Sequence, residues 1–345
     1  MAFHDNILIT SIPPMGSDPS PQRVIDIQIA LESFSSNGFN VVSLLARGET
    51  PEQRFGDNVG YRRSESQGFF PNRYGPSFKD IFGKRIREEM IAVVNADVYM
   101  LPSGILPLIR ASRNSVFLSR RINVSKLGGS FEGVYRHGVD AMFFSPDVDC
   151  ERIAQSELAG FQLGAPFWDA VIPIALSFHN QVRFLSPPVL LHPSHQLNWS
   201  EADYKFLREK AVKTLTRYAE DSAAESPRAR SFLQGMEAFK DSFSRRTPYR
   251  DQKRAAEYIA LSVRQMQGDS WQRVEIDFND PYLRESLIGL LETDDEALGL
   301  ASKVFPYAGR PQVETNGYLE IARILLRARK SRANAKLAQS LFAKS

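Results

Sequence analysis

The chain has 345 residues, with 43 basic against 40 acidic side chains and a net charge of +3. That length suits one large domain or two ordinary ones, and 43% hydrophobic with 24% charged residues is the composition of a soluble globular protein. So slight a basic excess excludes any charge-based argument for nucleic acid as a partner.

Asn6–Ile12 is short and apolar and predicts a buried strand. Pro13 to Pro21 is a loop of Pro, Gly, Ser and Asp, and Pro21 stands where proline suits a helix start. A helix should come next with Val24, Ile27, Ala30, Leu31 and Phe34 on one stripe, stopped by Asn37-Gly38. Val41–Leu45 predicts the next strand, so the opening is a βαβ unit and argues for a parallel sheet. Val59–Tyr61 predicts a third strand, and Gly68 to Pro76 an aromatic-rich loop with Phe69, Phe70 and Tyr74. Phe78 to Val94 reads as an amphipathic helix, and Val116–Leu118 and Ala141–Phe144 as strands. From Trp199 strand signals fade. Ser200 is an N-cap, and helical periodicity runs on with breaks at Ser226-Pro227, Thr247-Pro248 and Phe278–Pro281. The expected division is an α/β domain over residues 1–198 and a helical region over 199–345.

The single cysteine, Cys150, excludes an intrachain disulfide and a cysteine zinc site and predicts a reducing compartment. Met1–Asp5 lacks the basic-then-apolar order of a signal peptide. No apolar run nears the roughly 20 residues that span a bilayer. A cytoplasmic protein is expected.

Several short stretches could carry chemistry. In Val93–Met100 an apolar run stops at Asn95-Ala96-Asp97 and resumes. Alternate residues of an extended chain point the same way, so Asn95 and Asp97 would face one ligand. A carboxylate there suits a hard divalent cation that also takes diphosphate oxygens. Gln22 and Arg23 lie near a helix start after the first strand, where a nucleotide phosphate can sit. In Phe131–Phe144, Gly133 and Gly138 allow close backbone approach, and Asp140 leads straight into a strand. In Leu163–Asp169, Phe167 and Trp168 offer an aromatic wall for a sugar, with Asp169 as a general base at its end. Asp169 also opens a helix, whose dipole favours its ionised form. His192 closes a short apolar strand. His179 and His195 look like surface or helix-end residues.

Taken in order, these stretches resemble the GT-A class of nucleotide-sugar glycosyltransferases. The resemblance rests on Ile7–Leu45, Asn95-Ala96-Asp97, Gly133–Asp140, Phe167-Trp168-Asp169 and His192, and covers about the first 195 residues. It implies a GT-A-like, Rossmann-like α/β fold with a mixed, mainly parallel sheet flanked by helices, followed by a helical C-terminal region. The loop with Gln22 and Arg23 would hold the nucleotide. Asp97 with His192 would hold Mn²⁺ or Mg²⁺ against the diphosphate, and Asn95 would contact ribose or sugar. Gly133 and Asp140 would meet the donor sugar or the acceptor. Asp169 would take the acceptor hydroxyl proton in an inverting enzyme, or orient the acceptor in a retaining one. The implied setting is polysaccharide biosynthesis. Asn95 replaces the first acid of the family's Asp-any-Asp motif, so one negative charge is missing.

Two other classes stay open. One is a binding or scaffold protein on the same fold with catalysis lost. The other is a sugar nucleotidyltransferase, which wants a glycine-rich basic loop where Ile12–Asp18 is acidic and proline-rich. Near the end, Ile321, Leu325 and Ala328 with Arg323, Arg327, Arg329, Lys330, Arg332 and Lys336 predict a basic amphipathic helix. Such a helix packs on its own domain or a dimer partner, or lies on an anionic membrane surface.

Overall fold

β1 (Ile7–Thr10) is buried at every position, as a central strand covered on both faces must be. α1 (Pro21–Ser36) starts with Pro21 behind the Ser20 hydroxyl, which accepts from the Arg23 amide at 3.3 Å. It stops at Asn37. Gly38 then takes φ +84°, a left-handed turn that glycine makes without strain. These bounds agree with the sequence expectation. The computed structural model describes residues 6–13, 15, 20–46, 48–56, 59–70, 75–83, 90–101, 103, 105–125, 131–135, 138–186, 189–193, 200–242, 248–268 and 273–275.

The chain continues through β2 (Asn40–Leu45), β3 (Gly60–Arg63), the single turn α2 (Phe78–Ile81), β4 (Met90–Val94) and β5 (Tyr99–Met100). The helix expected over Phe78 to Val94 is therefore corrected. Its first turn exists, but Met90–Val94 is a strand buried at all five residues. A short run that is apolar on every side suits a central parallel strand as well as a helix, and periodicity alone does not separate them. Next come α3 (Ile105–Ala111), β6 (Ser115–Ser119), β7 (Arg121–Val124), β8 (Phe131–Val134), β9 (Ala141–Phe144) and the single turn α4 (Glu151–Ala154). α5 (Trp168–Ser177), β10 (Gln181–Ser186) and β11 (Leu190–Pro193) precede three helices, α6 (Glu201–Ser222), α7 (Pro227–Asp241) and α8 (Pro248–Gly268). Ser200 and Ser226 cap α6 and α7 with their hydroxyls, as their place before each helical run predicts. β12 (Arg273–Glu275) then returns to the sheet beside β10, a strand the helical pattern after Trp199 did not anticipate.

Among the described residues one sheet has eight strands in the order β12-β10-β6-β9-β4-β1-β2-β3. All neighbours run parallel except β9, which is antiparallel to both β4 and β6. A second sheet, β5-β11-β7-β8, stands at one end of the first. Period-two alternation divides the core between the two faces of the large sheet. Ile7, Ile9, Val42, Leu44, Met142 and Phe144 pack with α5 and with α6–α8 residues such as Leu207, Leu215 and Ile259. Leu8, Val41, Ala141 and Phe143 face the other way and pack with Ile27, Leu31 and Phe34 of α1. Among the described residues no helix is long and apolar enough to cross a membrane. The basic C-terminal segment around Ile321 to Lys336 and His195 lie outside the described residues.

Candidate active site

The antiparallel strand creates the site. Ala141, the first residue of β9, pairs with Val94 at the end of β4 and with Ser119 at the end of β6. The chain leaving β4, the chain leaving β6 and the chain entering β9 therefore meet at one corner. They bring Asn95, Arg121 and Asp140 together. The Asn95 amide hydrogen-bonds the Asp140 carbonyl at 3.1 Å, and the Asp140 amide bonds the Ser119 carbonyl at 3.3 Å. Ligands of open parallel sheets bind beyond the carboxyl ends of the strands, which is this corner.

Asp140 is 2% exposed. Its Oδ1 accepts from the Arg121 guanidinium at 2.6 Å and from Asn95 Nδ2 at 2.8 Å. Its Oδ2 is buried without a hydrogen-bond partner among the described residues. Burial works against the Arg121 charge, but Asp140 foremost, then Tyr135 and Asp97, hold the guanidinium proton more tightly than usual. Asp140 does lead straight into β9, as expected from the sequence, and its carboxylate is buried and clamped by arginine.

Asn95 and Asp97 do not face one ligand together. Ala96 and Asp97 form a turn, so the alternation of an extended chain stops at Asn95. Asn95 turns to Asp140. Asp97, about half exposed, turns to His192, with Oδ2 3.5 Å from Nε2. His192 reaches it from β11, whose pairing places His192 opposite Asn123 of β7. Gly133 is in strand β8, also opposite Asn123, and not in the loop expected. Gln22 and Arg23 are exposed on the first turn of α1. Gln22 donates to Asp26 at 2.8 Å, and Asp26 accepts from Tyr99, two residues beyond Asp97, at 3.0 Å. Gln22 is so linked through Asp26 to β5 and not to Asn95 or Asp97, and Arg23 is exposed. Pro14 and residues 16–19 of that loop lie outside the described residues.

Asp169 is the second residue of α5. Phe167 ahead of it has φ +75°, a left-handed conformation rare for a bulky side chain and strained by on the order of 1–3 kcal/mol. Packing of Phe167 on Tyr204 of α6, with ring centres 4.9 Å apart, helps hold it. Trp168 does not form the expected wall. It is 2% exposed and stacks on Phe78 in the core. The Asp169 carbonyl accepts from the Val139 amide at 3.1 Å, and its Oδ2 accepts from the Tyr135 hydroxyl at 3.3 Å. Helix-dipole stabilisation of the anion does not win here. Burial first, then the Asp140 charge, push the Asp169 carboxyl from 3.8 up to about 7, against the opposing pull of Arg121 and Tyr135.

That shift has a sign for folding. Between about pH 4 and about pH 7 the folded state keeps a proton that the unfolded chain has released, so stability falls as pH rises through this window. At about 1.4 kcal/mol per pH unit, the loss between about pH 5 and about pH 8 is at most on the order of 3 kcal/mol. Urea unfolding should show wild type losing stability relative to Asp169→Asn across that range. Parallel stability curves would mean an ordinary carboxyl.

Arg121 and Tyr135 complete the site beside Gly138, whose close backbone approach was expected, and no motif singled out the roles of Arg121 and Tyr135. One signal was present: in Arg121-Ile122-Asn123-Val124 the polar residues alternate with buried ones, so an arginine and an asparagine share one face of a short strand. Arg136 and His137 lie outside the described residues. His179 comes after α5, hydrogen-bonds Ser222 at 3.1 Å and is not part of these contacts. No protein-family model matches this chain, and no curated protein matches it.

Proposed function

We propose that this chain is a GT-A-type glycosyltransferase that moves a sugar from a nucleotide-diphosphate sugar to a hydroxyl acceptor. The observation that supports it is convergence. Asp140 and Asp169 come from distant parts of the chain and are linked through Arg121 and Tyr135 at the carboxyl end of a mainly parallel sheet, and Asn95, which donates to Asp140, stands two residues before the Asp97 of the Asp97–His192 pair. A base that titrates near neutrality is suited to removing a hydroxyl proton as the hydroxyl attacks an anomeric carbon. Asp169 is that group.

Asp97 and His192 would hold a divalent cation. Among the described residues there is no group of three or more His, Cys, Asp or Glu that could do so alone. Mg²⁺ and similar ions need only one or two protein ligands when phosphate oxygens and water complete the shell, so this pair fits a cation that arrives with the diphosphate. When bound, it would neutralise charge on the leaving nucleotide diphosphate. The chain's own part is to present Asp97 and His192 together and to keep Asp169 beside the acceptor. A cytoplasmic setting, a dimer partner and contact of the C-terminal segment with a membrane belong to this proposal as expectations.

The test is calorimetric titration of UDP, GDP, CDP and dTDP, each with and without Mn²⁺, on wild type and Asp97→Ala. One nucleotide should bind about tenfold more tightly with Mn²⁺, a gain of about 1.4 kcal/mol, and the variant should lose that gain. Binding indifferent to metal in both proteins would remove the cation from Asp97 and favour a binding protein on this fold. Absence of nucleotide binding would remove the transferase reading.

A further inference from the structure

The carboxylate of Asp169 is held by a chain of contacts that begins elsewhere in the fold. Arg121 leaves the end of β6 into β7 and is mostly buried. Its guanidinium donates to Asp140 at 2.6 Å and to Asn123 Oδ1 at 3.0 Å. The same group lies 4.3 Å over the Tyr135 ring. A flat cation held by two acceptors is a rigid platform for an aromatic face. Tyr135 then donates its hydroxyl to Asp169 Oδ2. On the other side stands Gly138, where a Cβ would lie 2.0 Å from that same oxygen and 3.0 Å from the Asp169 Cβ. The carboxylate is wedged between a hydroxyl and a bare backbone.

We infer that Arg121 and Tyr135 are positioning residues: Arg121 fixes Asp140 and the Tyr135 ring, and Tyr135 fixes the direction in which Asp169 exchanges its proton. The inference rests on Asp169 being the proton-transfer group of the proposed function, but its structural content does not need a substrate. Among the described residues, four charged or titratable groups face Asp169 from the elements around it. Asp140 precedes β9, Arg121 opens β7, Tyr135 lies just past β8 and Tyr204 belongs to α6. After burial, Asp140 raises the proton affinity of Asp169, while Arg121 and the Tyr135 hydrogen bond lower it. Each deletion therefore has its own sign.

The experiment is NMR titration of the ligand-free full chain with ¹³C-carboxyl aspartate, the Asp169 signal being the one lost in Asp169→Asn. Tyr135→Phe should move the Asp169 midpoint up by about half a pH unit or more, and Asp140→Asn should move it down by a similar amount. Arg121→Gln should move it up, and Arg121→Lys should restore most of the wild-type midpoint. A merely structural role would alter stability and leave the midpoint in place. Should the Arg121 variants fail to fold, Tyr135→Phe decides alone, because it removes one oxygen atom. A folded Tyr135→Phe protein with a wild-type midpoint overturns the inference. Because no nucleotide is present, failure of the transferase reading leaves this outcome unaffected.

Discussion

Asp169→Asn is expected to lower sugar transfer by about two to four orders of magnitude with the fold intact. The amide has nearly the shape of the acid and can still accept from Tyr135, so the hydrogen bond to Oδ2 has a replacement. The amide lacks a site for the acceptor proton. Under the proposed function the working form in wild type is the carboxylate, whose population grows as pH rises through about 7. Transfer should accordingly climb with unit slope below about pH 7 and level off above it. The check is the transfer rate against pH, using the nucleotide sugar identified by titration. A profile flat from about pH 5 to about pH 8, or near-normal turnover in the variant, would return Asp169 to a structural role.

Arg121→Met should destabilise the fold by about 3–5 kcal/mol, the largest single effect expected away from the hydrophobic core. The methionine fills similar space but leaves Asp140, 2% exposed, with only Asn95 Nδ2 hydrogen-bonded to its side chain among the described residues. A buried carboxylate stripped of its cation is far worse than no pair at all. The double variant Arg121→Met with Asp140→Asn should therefore recover much of the loss, since the amide carries no charge to strand. Urea unfolding of Arg121→Met, Asp140→Asn and the double variant measures the coupling. Additive losses would show that the two side chains stabilise the fold independently, despite their 2.6 Å contact.

The parts of this fold that were legible in the sequence are those set by local chemistry. Ser20-Pro21 and Asn37-Gly38 bracket α1 because capping and left-handed turns depend on a few neighbouring residues. Ser200 and Ser226 announce α6 and α7 for the same reason. The direction of β9 was not legible, since a four-residue apolar run has the same pattern running either way. With it went the true surroundings of Asp140. An ion pair between positions 121 and 140, across two intervening strands, leaves no periodic mark. The acid motif was found but its geometry was not, because alternation applies only while the chain stays extended and Ala96-Asp97 turns. Asp97 and His192, far apart in sequence, do meet. Trp168 was misplaced because an aromatic beside an acid fits a ligand wall and a buried helix start equally well.

The antiparallel strand has one more consequence. The chain leaves the large sheet at Ser119 and rejoins it at Asp140, and those two residues are hydrogen-bonded to each other. Everything between them is an excursion whose two ends are already closed. Lengthening such an excursion adds little entropy, since closure grows only as the logarithm of its length. Its first part is anchored, because β7 pairs with β11. Beyond Val124 that anchor ends, and among the described residues the strand β8 pairs only with β7. Insertions and exchanges there need not thread through the sheet or shift any register in it. The segment that carries Tyr135 and borders Asp169 is thus open to evolutionary remodelling, while the eight strands beneath keep their order.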